Sequence, residues 1–152
     1  MGETYPVFVS LRFVINENID SGVYRILQYM TEWPMIVGEK PEVFENDYFR
    51  NDDWANFFAN NGTVVLGNFM GYEDMGIEKA LVINSYVPNN RKNTIFYFVQ
   101  WLAGCLEFSQ RETVLGYIDN TDSCEIITSK RALPVNFKQF DNPPDESEQA
   151  QL

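Results

Sequence analysis

No histidine occurs in these 152 residues, cysteine occurs twice, and 11 Lys+Arg stand against 22 Asp+Glu, a formal net charge of −11 at pH 7. The missing histidine removes the usual general base, the commonest metal ligand and the side chain that changes charge near neutral pH. Catalysis would have to run on carboxylates, Lys, Tyr or Cys. The shortage of bases argues against nucleic-acid binding, because phosphates need a basic stripe to neutralise them. The paired bases Arg91-Lys92 and Lys130-Arg131 read instead as borders of helix and strand ends. No apolar run approaches the roughly 18 residues of a membrane span. The start Met-Gly-Glu-Thr-Tyr lacks the basic and apolar regions of a signal peptide, so a cytoplasmic location without membrane contact is expected. Cys105 and Cys124 lack CxxC spacing and read as reduced core residues, the other reading being a single disulfide.

What the chain does have is rings. Twelve Phe, eight Tyr and three Trp sit in a chain that is 45% apolar, enough large side chains to offset the ordering entropy of one core. A single domain over 1–138 is expected, followed by an acidic, disordered tail over 139–152.

Val7, Val9, Leu11, Phe13 and Ile15 alternate as a half-buried strand does. Asp20 and Ser21 then suit the cap of a helix whose stripe is Val23, Ile26, Leu27 and Met30, ended near Trp33 by Pro34. Residues 63–70 and 79–87 read as a hairpin, and 112–118 with 123–129 as another, turned by Asp119-Asn120-Thr121-Asp122. Between them Thr94 suits the cap of a helix running from Ile95 to about Phe108, apolar around much of its circumference. The interval 34–61 is long for a connection in a compact domain. Asn51, Asp52, Asp53, Trp54, Phe57 and Phe58 have the cap, acidic first turn and spacing of a short helix inside it.

The fold expected is α+β: an antiparallel or mixed sheet of about five strands with two main helices on one face, a ferredoxin-like or split-βαβ variant, plus the short inserted helix. Both hairpins leave edges, and 79–87 or 123–129 is expected to be available to a second copy, so monomer and homodimer both stay open.

Negative charge is unevenly placed. Residues 38–79 carry nine acids and three bases and 141–152 four acids and no base, whereas 80–140 carry five acids and six bases. One reading is that acids gather in wet loops and keep the chain soluble. The sharper reading is a surface for a basic protein, made of Glu42, Glu45, Asp47, Tyr48, Asp52, Asp53 and Trp54 together with Tyr72, Glu73 and Asp74. Acids would steer the partner in, and Tyr and Trp would supply desolvated anchors. Those rings suit equally a satellite core under the loop. Exposure of Tyr48 and Trp54 separates the two.

Chemistry finds little purchase. The contiguous pairs Asp52/Asp53 and Glu73/Asp74 point apart on any regular backbone, and Asp119 to Ser123 lacks the Gly and Glu of a calcium loop, with Cys124 and Lys130 in those places. No phosphate loop, dinucleotide fingerprint, nucleophile elbow or zinc spacing occurs. No cofactor or metal is expected, and no catalytic residue is assigned. The expectation is a non-catalytic acidic protein that neutralises or regulates a basic protein partner. In size, acidity and aromatic-acid loops it resembles the functional class of toxin-immunity proteins and phage-type inhibitors, an analogy of class alone. A small enzyme or ligand-binding domain using carboxylate or Tyr chemistry, in a pocket between sheet and helices, is one alternative. A structural or adaptor subunit is the other.

Overall fold

Strand β1, Pro6–Val14, buries Val7, Val9, Leu11 and Phe13 completely while the residues between them face outward, which is the period-two pattern its sequence carries. It belongs to a computed structural model that describes residues 5–32, 38–71, 76–106, 113–120, 123–129 and 135–136. The tail expected from 139 onward lies outside them.

Helix α1, Ser21–Thr31, starts where the Asp20 carboxylate accepts from the N–H groups of Gly22 and Val23, satisfying donors that the first turn leaves free. Val23, Ile26, Leu27 and Met30 form its buried stripe. Strands β2, Gly62–Met70, and β3, Ile77–Pro88, pair antiparallel in unbroken register. Helix α2, Lys92–Cys105, follows. It begins ahead of the expected Thr94 cap: a 3-10 turn over Asn89–Arg91 leads straight into it, and Thr94 is buried in its first turn. Strands β4, Val114–Asp119, β5, Cys124–Thr128, and the two-residue β6, Val135–Asn136, complete the chain.

All pairings are antiparallel, in the order β2-β3-β1-β4-β5-β6. β3 therefore lies between β1 and β2, and β1 between β3 and β4. The strand over 79–87 is thus not an edge, because β3 is flanked on both sides. β5 is paired by β6 only at Glu125 and Ile126, and among the described residues the longest edge is β2. β4 approaches β1 so closely at Gly116, opposite Leu11, that a Cβ there would collide with the Ser10 carbonyl oxygen, and the β4–β5 pairing shifts register between Val114 and Gly116. Only a residue without a side chain fits such an approach.

The helices pack on the face presented by Val9, Leu11, Ile83 and Ile118. The other face carries Val14, Val65, Tyr86 and Tyr117, all exposed. Cys105 and Cys124 are half-buried, less enclosed than core residues.

The expected helix over 51–58 does not form. Residues 51–58 run through successive turns, flanked by 3-10 turns at Asp47–Arg50 and Ala59–Asn61. The N–H groups of Trp54 and Asn56 reach back three residues, to the Asn51 and Asp53 carbonyls. Tertiary packing of Trp54, Phe57 and Phe58 sets this path in place of helical propensity.

Candidate functional site

The segment from Gly38 to Asn61 crosses the helix side of the sheet and turns its rings inward. Asn46 starts the first 3-10 turn by accepting from the Tyr48 N–H at 2.8 Å. That turn drives Tyr48 into the core at 0% exposure, where Phe49, Trp54, Phe57, Phe58 and Phe98 surround it, the nearest centroid, that of Phe98, at 5.0 Å. Its hydroxyl donates to the Trp54 carbonyl, and burial pushes the phenol well above its usual pKa, so the group stays a neutral donor. Trp54, 2% exposed, stacks on Tyr29 of α1 at 5.7 Å, and Phe49 meets Trp101 of α2 edge-on at 4.9 Å. A Ser85 hydroxyl on β3 donates to the Phe58 carbonyl.

Tyr48 and Trp54 are therefore not exposed anchors for a partner. The physical reason is geometric: each is large, each finds a hydrogen-bonded or stacked place between α1 and α2, and outward rotation would leave that space empty. Nor do they form a satellite. They belong to one continuous cluster with Phe13, Ile26 and Leu102.

The carboxylates face the other way. Glu42, Glu45, Asp47 and Asp52 are exposed. Asp47 is paired at 2.9 Å with Arg50, one turn on, an exposed contact of small worth. Asp53 differs, because its two oxygens accept from the Arg91 guanidinium at 2.8 and 3.1 Å. That hydrogen bonding holds its carboxyl below the usual range and raises Arg91 in turn. Arg91 also lies 4.8 Å from the centroid of the Phe57 ring. Asp53 is thus a fastener between the segment and the start of α2, not a free charge. Tyr72, Glu73 and Asp74 lie outside the described residues, so the fold does not place them relative to the others.

One aromatic of the segment does face solvent. Phe44 is 42% exposed, next to the exposed Val43 and between Glu42 and Glu45. It rests against the start of α1, close enough that a Cβ on Gly22 would lie 3.3 Å from its ring. Asp20, Gly22, Arg25, Glu42, Phe44 and Glu45 line a groove of about 610 Å³ there. The sequence signal for Phe44 was weak: it precedes the Asn46 cap, with Lys40 and Pro41 at the helical offsets before it, so no regular element draws it inward.

Elsewhere among the described residues the groups that carry chemistry do not converge. Asp52 faces solvent while its neighbour Asp53 turns to Arg91. Burial, and next the Asp20 charge, push the Cys105 thiol up, opposite to the direction that makes a reactive thiolate. Among the described residues no cluster of three or more His, Cys, Asp or Glu stands ready for a metal ion. The space between sheet and helices that a ligand-binding domain would use is filled by Phe13, Tyr48, Phe58 and Phe98. The outer face is partly tied down within itself, by a Ser10 to Asn84 hydrogen bond of 2.8 Å and an Arg12–Glu78 ion pair of 3.0 Å. Among the described residues no helix is long and apolar enough to cross a membrane. No family model matches this chain, and no curated protein or solved structure does.

Proposed function

We propose that this chain is a non-catalytic binding protein that neutralises or regulates a basic protein partner, received on the surface of residues 42–52. One observation supports this most: the exposed carboxylates of Glu42, Glu45 and Asp52 lie on a segment whose rings are locked into the core through Tyr48. Charges on a seated segment lose little freedom on binding, so more of the electrostatic gain survives as affinity. Phe44 takes the anchoring role in this proposal, as an exposed ring among acids. Neutralising inhibitors of the toxin-immunity kind are the class such a surface suits, because carboxylates can occupy positions where a basic enzyme expects phosphates.

The test begins with capture of a partner from the native host at low salt, identified by mass spectrometry, and continues with association kinetics. Added salt should slow association steeply. Reversal of Glu42, Glu45 and Asp52 to Lys should lower the on-rate, and Phe44→Ala should raise the off-rate. Association that ignores both salt and charge reversal refutes the proposal.

A further inference from the structure

The two edges of the sheet are unlike. One is β6, two residues long; the other is β2, nine residues from Gly62 to Met70 with no second strand beside it among the described residues. Edge strands of that length are normally guarded by charged side chains, proline, a bulge or a covering element, because alternate backbone groups point outward ready to pair. Gly-Thr-Val-Val-Leu-Gly-Asn-Phe-Met contains no charged residue and no proline. Its register with β3 runs from Gly62↔Ser85 to Met70↔Ile77 without a shift. Val65 and Met70 are 46% and 56% exposed along it.

We propose that β2 is a self-association edge: two copies pair β2 with β2 antiparallel about a two-fold axis, joining both sheets into one. The charge pattern selects the partner. In a chain of net charge −11, β2 offers no carboxylate, so a basic strand gains nothing by lying along it. A neutral strand pairs there without setting any charge opposite another, and β2 is such a strand, with β-branched Thr63, Val64 and Val65 in its first half. The symmetry selects the size. Antiparallel self-pairing is isologous and closes on itself, because it uses the β2 edge of both copies. The assembly therefore stops at two copies. This inference does not rest on the proposed partner surface, and the two respond to salt in opposite ways. Two chains of −11 repel, so screening strengthens the dimer, whereas it weakens attraction to a basic protein.

Sedimentation velocity on the full chain, from about 1 to about 500 µM in about 20 mM and then about 300 mM salt, reads the prediction directly. The expected species has twice the 17.7 kDa chain mass, with a dimer fraction that rises with salt. Amide exchange at alternate positions of 62–70 should slow as concentration rises. Val65→Lys and Thr63→Lys, both at exposed positions, should each weaken the dimer at least about tenfold by putting a charge on the pairing edge of each copy. Their circular dichroism should stay native. Two variants guard against either one misfolding. A chain that is monomeric throughout overturns the proposal. So does a dimer that both Lys variants leave intact, or one whose exchange protection lies away from 62–70.

Discussion

Replacement of Tyr48 by Ala tests whether the rings of the 38–61 segment hold the fold or face a partner. The side chain is fully buried and touches five other rings. Truncating a buried aromatic costs about 3–5 kcal/mol through lost transfer energy and the cavity left behind. Five ring neighbours and a fixed hydroxyl place this site toward the top of that range. The Tyr48→Phe variant isolates the hydroxyl. It leaves the Trp54 carbonyl without its donor, and should cost about 1–2 kcal/mol. An ordinary domain has about 5–15 kcal/mol in all, so Tyr48→Ala should be barely folded and Tyr48→Phe comfortably so. Urea unfolding followed by far-UV circular dichroism and by tryptophan fluorescence measures both. Trp54 and Trp101 lie in or beside the cluster and report its loss. A Tyr48→Ala cost below about 0.5 kcal/mol, typical of surface positions, would refute the packing argument and restore Tyr48 as a candidate anchor. An unchanged dichroism transition combined with fluorescence already lost in water would refute a narrower point, that the segment and the main core melt as one.

Two further predictions concern the joints of the fold. Gly116→Ala sets a methyl against the Ser10 carbonyl oxygen; β1 and β4 must separate, so a loss of about 1–3 kcal/mol is expected in thermal or urea unfolding, and a melt like that of the parent chain would contradict the close approach. Asp53→Asn removes one partner of the Arg91 fork, whose side chains are 45% and 30% exposed, so at neutral pH the cost should stay within about 1 kcal/mol. The sign of its pH dependence is fixed. Arg91 lowers the folded-state pKa of Asp53 below its ordinary 3.8; the stabilisation is thus present above that value and lost as the pH falls through the folded-state one. Acid unfolding of Asp53→Asn should lack this component, and an identical acid profile would show that the fork contributes nothing.

Legibility in the sequence followed the regularity of the backbone. β1 was readable because five apolar residues alternate over 7–15, and α1 because its stripe and its Asp20 cap agree with each other. The segment 38–61 was not readable in the same way. Its rings recur at three- and four-residue spacing, which names a shared face only where the backbone is a regular helix. Over 51–58 it is a series of turns, so Trp54, Phe57 and Phe58 reach the core by a path that spacing does not encode. Thr94 misled for a related reason, since the turn after Pro88 starts the helix earlier and carries the hydroxyl inside. The sheet order was hidden because pairing is set by contacts distant in sequence. A strand pattern marks 62–70 as a strand without saying which strands lie beside it, so it does not tell an inner strand such as 79–87 from the edge strand β2.

The acidity acquires its meaning from what lies beneath it. A carboxylate on a loose loop is screened by water and must be ordered before it can hold a partner; the same carboxylate above a locked ring is already in place. Residues 42–54 combine both parts in one stretch, acids outward and, Phe44 aside, rings inward, with Asp53 tied into the joint. β2 separates charge from burial in the opposite sense, with exposed backbone, apolar side chains and no charge. Carboxylates along β2 would keep a second acidic chain away by repulsion, and the strand carries none. Leaving that edge neutral while the 38–53 segment is loaded gives the two proposed surfaces opposite responses to salt, because screening weakens attraction to a basic protein and strengthens pairing between two chains of −11. Ionic strength, more than any single substitution, therefore separates the proposed partner surface from the proposed self-pairing edge.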